Sequence, residues 1–297
     1  MIPAGKIAIV AHDAGGAEII SSWVRRNHRD HVAVLGGPAE NIFHKKHTTL
    51  SVGSLVDAIN CCTWMLCGSG NSDFEYKAIF EAKRRGMYVV SFLDHWTSYR
   101  ERFVKDGVEN FPDEIWVGDE DALELVNKKI PHVKSHLVPN PYWMDMVEDY
   151  SKFKSTKVEE KILYVSTNID VFHKVLNSTI SDAWLLEKII EFIQEKMVVH
   201  NKTSLTIRRH PSEKIDKYGS YCCQGLTVTH DSDNELSKSI AKHTHIIGFN
   251  SMAQVVGKLC GILSINIIID GHVNNTIPSR YIDKTLRVGI PEMYQSQ

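Results

Sequence analysis

Short, almost wholly apolar runs alternate along this chain with longer stretches whose apolar residues recur every three or four positions. The runs 6–11, 31–35, 61–67, 87–93 and 114–117 have the composition of strands buried on both faces, and each closes on small or polar residues. Between them Ile19, Ile20, Trp23 and Val24 mark one helix, and residues 75–85 carry the spacing of another. Strands without polar alternation, separated by helices, predict a parallel sheet covered on both sides.

From 134 to 158 the rhythm lapses. His136-Leu137-Val138-Pro139-Asn140-Pro141-Tyr142-Trp143 carries two prolines, the polar stretch Glu148-Asp149-Tyr150-Ser151-Lys152 follows, and the segment reads as a linker. The alternation then restarts, with strands expected at 161–165, 204–207, 226–229, 245–248 and 263–269 and helices at 182–197, 235–241 and 252–259. The pattern predicts an α/β protein of two Rossmann-like domains, 1–145 and 158–297, facing each other across a cleft. In open α/β sheets ligands sit outside the carboxyl ends of the strands, so the turns there are the places to look for chemistry.

A length of 297 residues suits two domains of about 150 each. The 34 Lys and Arg against 36 Asp and Glu leave a net charge of −2, which argues against nucleic acid as a partner and makes any anion site local. The chain enters a strand almost at once, without the regions of a secretion signal, and its apolar run at 262–269 is far short of the ~20 residues that span a bilayer. A cytoplasmic protein is expected, with attachment to the inner face of the membrane left open. Its six cysteines, Cys61-Cys62, Cys222-Cys223, Cys67 and Cys260, lack the spacing of a zinc site or a disulfide scaffold and read as buried thiols.

Four strand-end turns could carry chemistry. His12-Asp13-Ala14-Gly15-Gly16 opens a helix; its glycines would let backbone amides approach a ligand, but the spacing of a dinucleotide fingerprint is absent and a carboxylate stands in the turn. Asp13 is either a helix cap or a group that works on an acceptor. Asp94-His95-Trp96 with Arg100 supplies an ionisable pair and an aromatic platform for a sugar, and Ser69 stands in the small-residue turn that ends the run 61–67. Arg208-Arg209-His210-Pro211 makes a local basic spot suited to phosphate oxygens. Asn250-Ser251 begins a helix, where a hydroxyl and free amides can hold an anion, and Ser166-Thr167 ends the strand expected at 161–165.

The last two motifs resemble a family. His210-Pro211 after one strand and Asn250-Ser251 at a later strand-to-helix turn are similar to the His-Pro and Ser/Thr motifs of bacterial sialyltransferases and related CMP-sugar transferases, including capsule Kdo transferases. The resemblance implies the two-Rossmann glycosyltransferase fold called GT-B and a CMP phosphate held by His210 and Ser251. Arg208 or Arg209 would hold phosphate or sugar carboxylate, with Ser166 and Thr167 at the edge of the cleft. It implies a general base in the first domain: Asp13, or Asp94 with His95. Remaining candidates for binding are His12, Gly15, Gly16, Ser69, Trp96, Arg100, Pro211 and Asn250. The family's acidic-acidic-glycine base motif is not present literally. Gln254 stands where many UDP-sugar enzymes carry a ribose-binding glutamate, which favours CMP over UDP.

The expectation is thus a metal-independent glycosyltransferase, without a cofactor, that moves a CMP-activated ulosonic acid to a hydroxyl of a surface glycan. The alternatives are a UDP-sugar transferase, a UDP-GlcNAc 2-epimerase-like enzyme, a CDP-glycerol-type phosphotransferase and a non-catalytic nucleotide- or glycan-binding module.

Overall fold

The computed structural model of the chain describes residues 2–70, 72–154, 160–167, 180–197, 203–211, 213–214, 217–219, 221, 225–270 and 276–289. It divides into two units, Met1–Asp145 and Met146–Gln297, and each holds a six-stranded, all-parallel sheet.

In the first unit β1 (Ile7–Ala11), α1 (Ala14–Asn27), β2 (His31–Leu35), α2 (Pro38–Lys46), α3 (Leu55–Cys61) and β3 (Trp64–Cys67) come first. They are followed by α4 (Asp73–Arg84) and β4 (Tyr88–Leu93), then by a small antiparallel ribbon of β5 (Val104–Lys105) and β6 (Val108–Glu109). β7 (Glu114–Val117), α5 (Glu120–Lys129) and β8 (Lys134–Leu137) complete the sheet, whose order is β2-β1-β3-β4-β7-β8. A lone parallel bridge from Ala33 to Val52 adds a rudimentary strand outside β2. β1 and β3 are buried throughout, as strands covered on both faces must be. Three indoles meet in this core, Trp23 lying 6.2 Å from Trp64 and 5.5 Å from Trp116 between ring centroids, one pair edge-on and the other tilted.

A helix, α6 (Pro141–Phe153), carries the chain from the first unit into the second. The second unit continues with β9 (Lys161–Val165), α7 (Asp182–Lys196), β10 (Ser204–Arg208), β11 (Thr227–His230) and α8 (Leu236–Ala241). It ends with β12 (His245–Gly248), α9 (Met252–Leu259), β13 (Leu263–Ile269) and β14 (Lys284–Val288). Its order, β11-β10-β9-β12-β13-β14, is the succession of a dinucleotide-binding Rossmann sheet. With the bridge at Val52 counted, the first sheet follows the same succession. The crevice where strand order reverses therefore lies between β1 and β3 in one unit and between β9 and β12 in the other.

Two expectations change. The segment 134–158 is not an unstructured linker: it contains β8 and α6, and Pro141 occupies the first turn of the helix, where a missing N–H costs nothing. The strand expected at 61–67 begins only at Trp64, because residues 55–61 form α3. Cys61 is exposed and Cys62 half-buried; Cys67 and Cys260 are the buried thiols, and Cys222 and Cys223 lie outside the described residues.

Candidate functional site

The first unit brings its chemistry to the ends of three adjacent strands. β1 delivers His12 and Asp13, β3 delivers Gly68-Ser69-Gly70, and β4 delivers Asp94 and His95. Asp13 stands at the N-cap of α1, but its side chain makes no capping hydrogen bond; it faces His12 instead, with Oδ1 2.7 Å from Nδ1. The pair is anchored from behind. The backbone N–H of His12 donates to Glu75 Oε1 at 2.8 Å, and Glu75, almost wholly buried on α4, also accepts from Ser72 Oγ at 3.0 Å. If the shared proton sits on Nδ1, Nε2 carries the free lone pair, and among the described residues Nε2 has no hydrogen-bond partner.

Glycines bring the carboxylates close. A β-carbon at Gly70 would fall 2.1 Å from Asp13 Oδ2, and one at Gly15 would fall 2.0 Å from Asp94 Oδ2. Arg102 joins the two sides, donating from one guanidinium nitrogen to Asp94 Oδ1 at 2.6 Å and to the Ser69 carbonyl at 2.6 Å, with the Ser69 hydroxyl at 3.2 Å. Asp13, Gly70, Ser69, Arg102, Asp94 and Gly15 thus form a closed circuit of contacts around the crevice.

This circuit corrects the reading of the glycines. Gly15 is not open for a ligand phosphate, because Asp94 already lies against that first turn of α1, and Gly16 is used to let the helix approach Gly68. The first unit's crevice carries carboxylates, a poor setting for phosphate and a good one for hydroxyl groups. His95 is half-buried, and its Nδ1 accepts from the Trp96 backbone N–H at 3.0 Å. Desolvation lowers its pKa, with Asp94 pulling upward and Arg102 downward. Trp96 is not a sugar platform: its indole N–H points at the Asp119 carboxylate (3.2 and 3.1 Å), its ring stacks on Trp143, and it is buried. Arg100 pairs with Glu109 across the β5–β6 ribbon, on the surface and apart from the circuit. The sequence reading missed Glu75 and Arg102, both of which fasten the site.

In the second unit the exits of β10 and β12 flank that of β9. Two strand spacings, about 10 Å, therefore separate the turn of Arg209, His210 and Pro211 from that of Asn250 and Ser251. A cavity of about 380 Å³ lies at the β10 exit, lined by Arg208, Arg209, His210 and Pro211 on one side and by residues 231–234 on the other. Arg208 is not free to take phosphate, since it donates to Asp231 Oδ2 at 2.5 Å and to the Asp233 carbonyl at 2.9 Å. Arg209 donates to the Glu213 carbonyl at 3.1 Å, and His210 stays open to solvent. Desolvation around the His210 ring lowers its pKa, Glu213 opposing and Lys217 adding to the effect.

Glu213 holds this turn in place. Its carboxylate accepts from the His210 backbone N–H (2.8 Å), Ser166 Oγ (2.7 Å) and Lys217 Nζ (2.8 Å), and Lys217 also pairs with Asp182 at 2.5 Å. Burial alone would raise the Glu213 pKa, but the hydrogen bonds from Lys217, Ser166 and His210 outweigh it and hold it below the usual range. Ser166 is consequently buried in this network, with Tyr218 Oη 2.6 Å away, rather than turned to a ligand. Thr167 ties the β9 exit to the Phe249 carbonyl at 2.8 Å.

Asn250 adopts the left-handed backbone region (φ 50°), a conformation that asparagine tolerates better than most residues, and so turns β12 into α9. Ser251 caps α9 in a reciprocal box: its hydroxyl accepts from the first turn while Gln254 Oε1 accepts from the Ser251 N–H at 2.9 Å. Gln254 is fully buried and donates to the Ile265 carbonyl at 2.9 Å. Its side chain is therefore not at a ribose, and the argument drawn from it for CMP over UDP lapses.

Among the described residues no helix is long and apolar enough to cross a membrane, and no group of three or more His, Cys, Asp or Glu is arranged as metal ligands would be. No family model and no curated protein matches the chain. Solved structures do match in fold. The UDP-GlcNAc 2-epimerase from Methanocaldococcus jannaschii has a TM-score of 0.61 at 12% identity, covering 96% of this chain and 89% of that one. The glycotransferase of kitacinnamycin follows at 0.56 and 12%, covering 97% and 87%. MurG from Acinetobacter baumannii stands at 0.52 and 9%, covering 92% and 81%. The chain thus has the two-Rossmann GT-B fold, the fold of these epimerases and glycosyltransferases.

Proposed function

We propose that the protein is a glycosyltransferase that moves a sugar from a nucleotide donor to a hydroxyl group, with the first unit activating the acceptor and the second holding the donor. The observation that carries this reading is the His12–Asp13 pair at the β1–β3 crevice, a hydrogen-bonded carboxylate and imidazole whose Nε2, lying against the Gly36–Gly37 turn, would serve as the base. Asp13 orients the ring and balances the charge it gains, so the expected role of Asp13 as the base itself passes to His12. Asp94 is engaged by Arg102, and His95 already accepts a backbone N–H, which leaves that second pair a worse candidate.

In the reaction the acceptor hydroxyl loses its proton to His12 Nε2 as its oxygen attacks the anomeric carbon. The bond from that carbon to the phosphate oxygen breaks, and the electron pair leaves with the nucleoside phosphate. His210 and Arg209, with Ser251 across the β9 exit, are the groups that would meet that phosphate; the amides of Asn250, Ser251, Ala253 and Gln254 are already bonded within the turn and the first turn of α9. The likeness of His210-Pro211 and Asn250-Ser251 to the CMP-sugar transferases makes a CMP-linked ulosonic acid the donor of choice and a surface glycan the acceptor. The test is incubation with CMP-, UDP- and CDP-linked donors over an acceptor panel, with release of free nucleotide and product mass as readouts. Acceptor-dependent release from the CMP donor supports the reading; release from UDP donors alone removes the CMP assignment.

A second reading is favoured by the number of acid and base groups around the first crevice, His12, Asp13, Asp94 and His95. An epimerase of UDP-sugars would use them without an acceptor. Conversion of a UDP-sugar to its epimer in a single-substrate incubation would replace transfer as the function.

A further inference from the structure

The start of α4 meets His12 twice. Ser72 caps the helix, and Phe74 and Glu75 follow in its first turn, about 100° apart around the axis. Glu75 accepts from the His12 backbone N–H, while the Phe74 ring lies against the imidazole itself, 5.5 Å between centroids and tilted by 39°. The turn from β2 into α2 closes on the same two rings. A β-carbon at Gly36 would stand 3.1 Å from His12 Cδ2 and 3.1 Å from Phe74 Cε2, so the glycine admits both edges. At Gly37, whose φ of 51° lies in the left-handed region, a β-carbon would stand 2.8 Å from Nε2. This turn is tied back to the β1 exit, the Gly36 N–H donating to the Ala11 carbonyl and the Ala39 N–H to the His12 carbonyl, each at 3.1 Å.

The imidazole therefore has Asp13 at Nδ1, Phe74 packed on the ring and a glycine turn along Cδ2 and Nε2. Its bond to Asp13 is not enough to fix it. The His12 and Asp13 side chains are 30% and 37% exposed, and water competes for a pair this open. A ring free to swing could carry its proton on Nε2 instead of Nδ1, and the outer nitrogen would then lack the lone pair that a base needs. Packing has to supply the remaining constraint, and Phe74 is the side chain placed to supply it.

We propose that Phe74 is a positioning residue for the base: it holds the imidazole so that Nδ1 stays on Asp13 and Nε2 keeps its lone pair. The inference rests on the reading of His12 as the base. Phe74 acts through the ring and touches no reacting atom, so its removal changes the tautomer first and turnover as a consequence. One aromatic contact of this kind shifts such an equilibrium roughly two- to tenfold.

The test is heteronuclear NMR of the full chain carrying isotope-labelled histidine, with the His12 signals assigned by their loss in His12→Gln. Wild type, Phe74→Ala, Phe74→Leu and Phe74→Tyr are compared above the pH range in which the ring takes up a proton, as read from the same spectra. Circular dichroism establishes that each variant is folded, and Phe74→Leu carries the comparison if Phe74→Ala is not. The expected result is a wild-type ring with its proton on Nδ1, a tautomer ratio moved roughly two- to tenfold towards Nε2 in Phe74→Ala and in the same direction in Phe74→Leu, and the wild-type ratio restored in Phe74→Tyr. With a donor and acceptor in hand, kcat falls in Phe74→Ala while the acceptor KM stays unchanged. An unaltered tautomer ratio in the folded Ala and Leu variants overturns the proposal, as does a raised acceptor KM at constant kcat, which would make Phe74 a substrate contact. The two failures are separable. An unaltered ratio with turnover lost in His12→Gln removes Phe74 and keeps the base; turnover retained in His12→Gln removes the base, and the proposal with it, whatever Phe74 does to the ring.

Discussion

Gly15 and Asp94 approach so closely that a β-carbon at position 15 would stand 2.0 Å from the Asp94 carboxylate. The glycine is there to admit a side chain of the same protein, and its replacement must push Asp94 away from Arg102. Gly15→Ala is expected to cost about 1–3 kcal/mol in urea unfolding, in the range of an overpacked interior. The cost should shrink in the background of Asp94→Ala, which removes the obstructing atoms. An equal cost in both backgrounds would place the strain elsewhere.

His12 and Asp13 act as one unit in the proposed transfer. His12→Gln is expected to lower turnover about a hundredfold or more while leaving nucleotide binding at the second unit intact. Asp13→Asn should fall in the same direction, because the amide can no longer balance the charge gained by the ring. Steady-state rates together with nucleotide titrations check this, and near wild-type turnover in His12→Gln contradicts it.

Much of the fold was legible because buried parallel strands leave uninterrupted apolar runs. Residues 114–117, 161–165, 245–248 and 263–269 form strands with the bounds read from the pattern, and α9 likewise. β8 was hidden since an edge strand reading Lys-Ser-His-Leu, half exposed, has no apolar run. α6 was passed over although Trp143, Met146, Val147 and Tyr150 keep helical spacing; its opening proline drew attention as a breaker when it was a first-turn residue. The strand-end turns that carry His12, Asp13, His210 and Ser251 were visible, yet their partners were not. His12 and Glu75 are 63 residues apart, and only the sheet order brings them together. Separations of 47 and 23 residues likewise disguised Ser166 and Trp96, whose polar atoms are spent on Glu213 and Asp119.

Gln254 should prove structural. Its Oε1 accepts from the Ser251 N–H and its Nε2 donates to the Ile265 carbonyl, so Gln254→Glu turns a buried donor into an acceptor facing an acceptor. A loss of about 1–3 kcal/mol is expected, with no change in preference among nucleotides. A folded Gln254→Glu protein that gains affinity for UDP would return the residue to the ribose.

Stability should fall steeply in acid. Burial would raise the carboxyl groups of Asp145, Glu213 and Asp231, but hydrogen bonds outweigh it: Asp145 accepts from Arg25, Ser22 and Arg26, Glu213 from Lys217 and Ser166, Asp231 from Ser239 and Arg208. All three therefore have lowered values in the folded state. A group of this kind stabilises the fold above its unfolded pKa, about 3.9 for Asp and 4.3 for Glu, and its contribution disappears as the pH falls through the folded value. Urea midpoints are expected to be flat above about pH 5 and to drop below about pH 4. A midpoint that holds steady into that acid range would contradict the assignment.

The most direct test of the account is a thermal-shift titration with CMP, CDP, UDP, GDP and ADP, run on the wild type and on His210→Ala. A nucleotide present at ~100 times its dissociation constant adds roughly 2.7 kcal/mol of stability. The account predicts that CMP gives the largest rise in unfolding temperature and that His210→Ala abolishes it while remaining folded. No response to any of the five, or a response that His210→Ala leaves untouched, would contradict a nucleotide donor held at the His210-Pro211 turn.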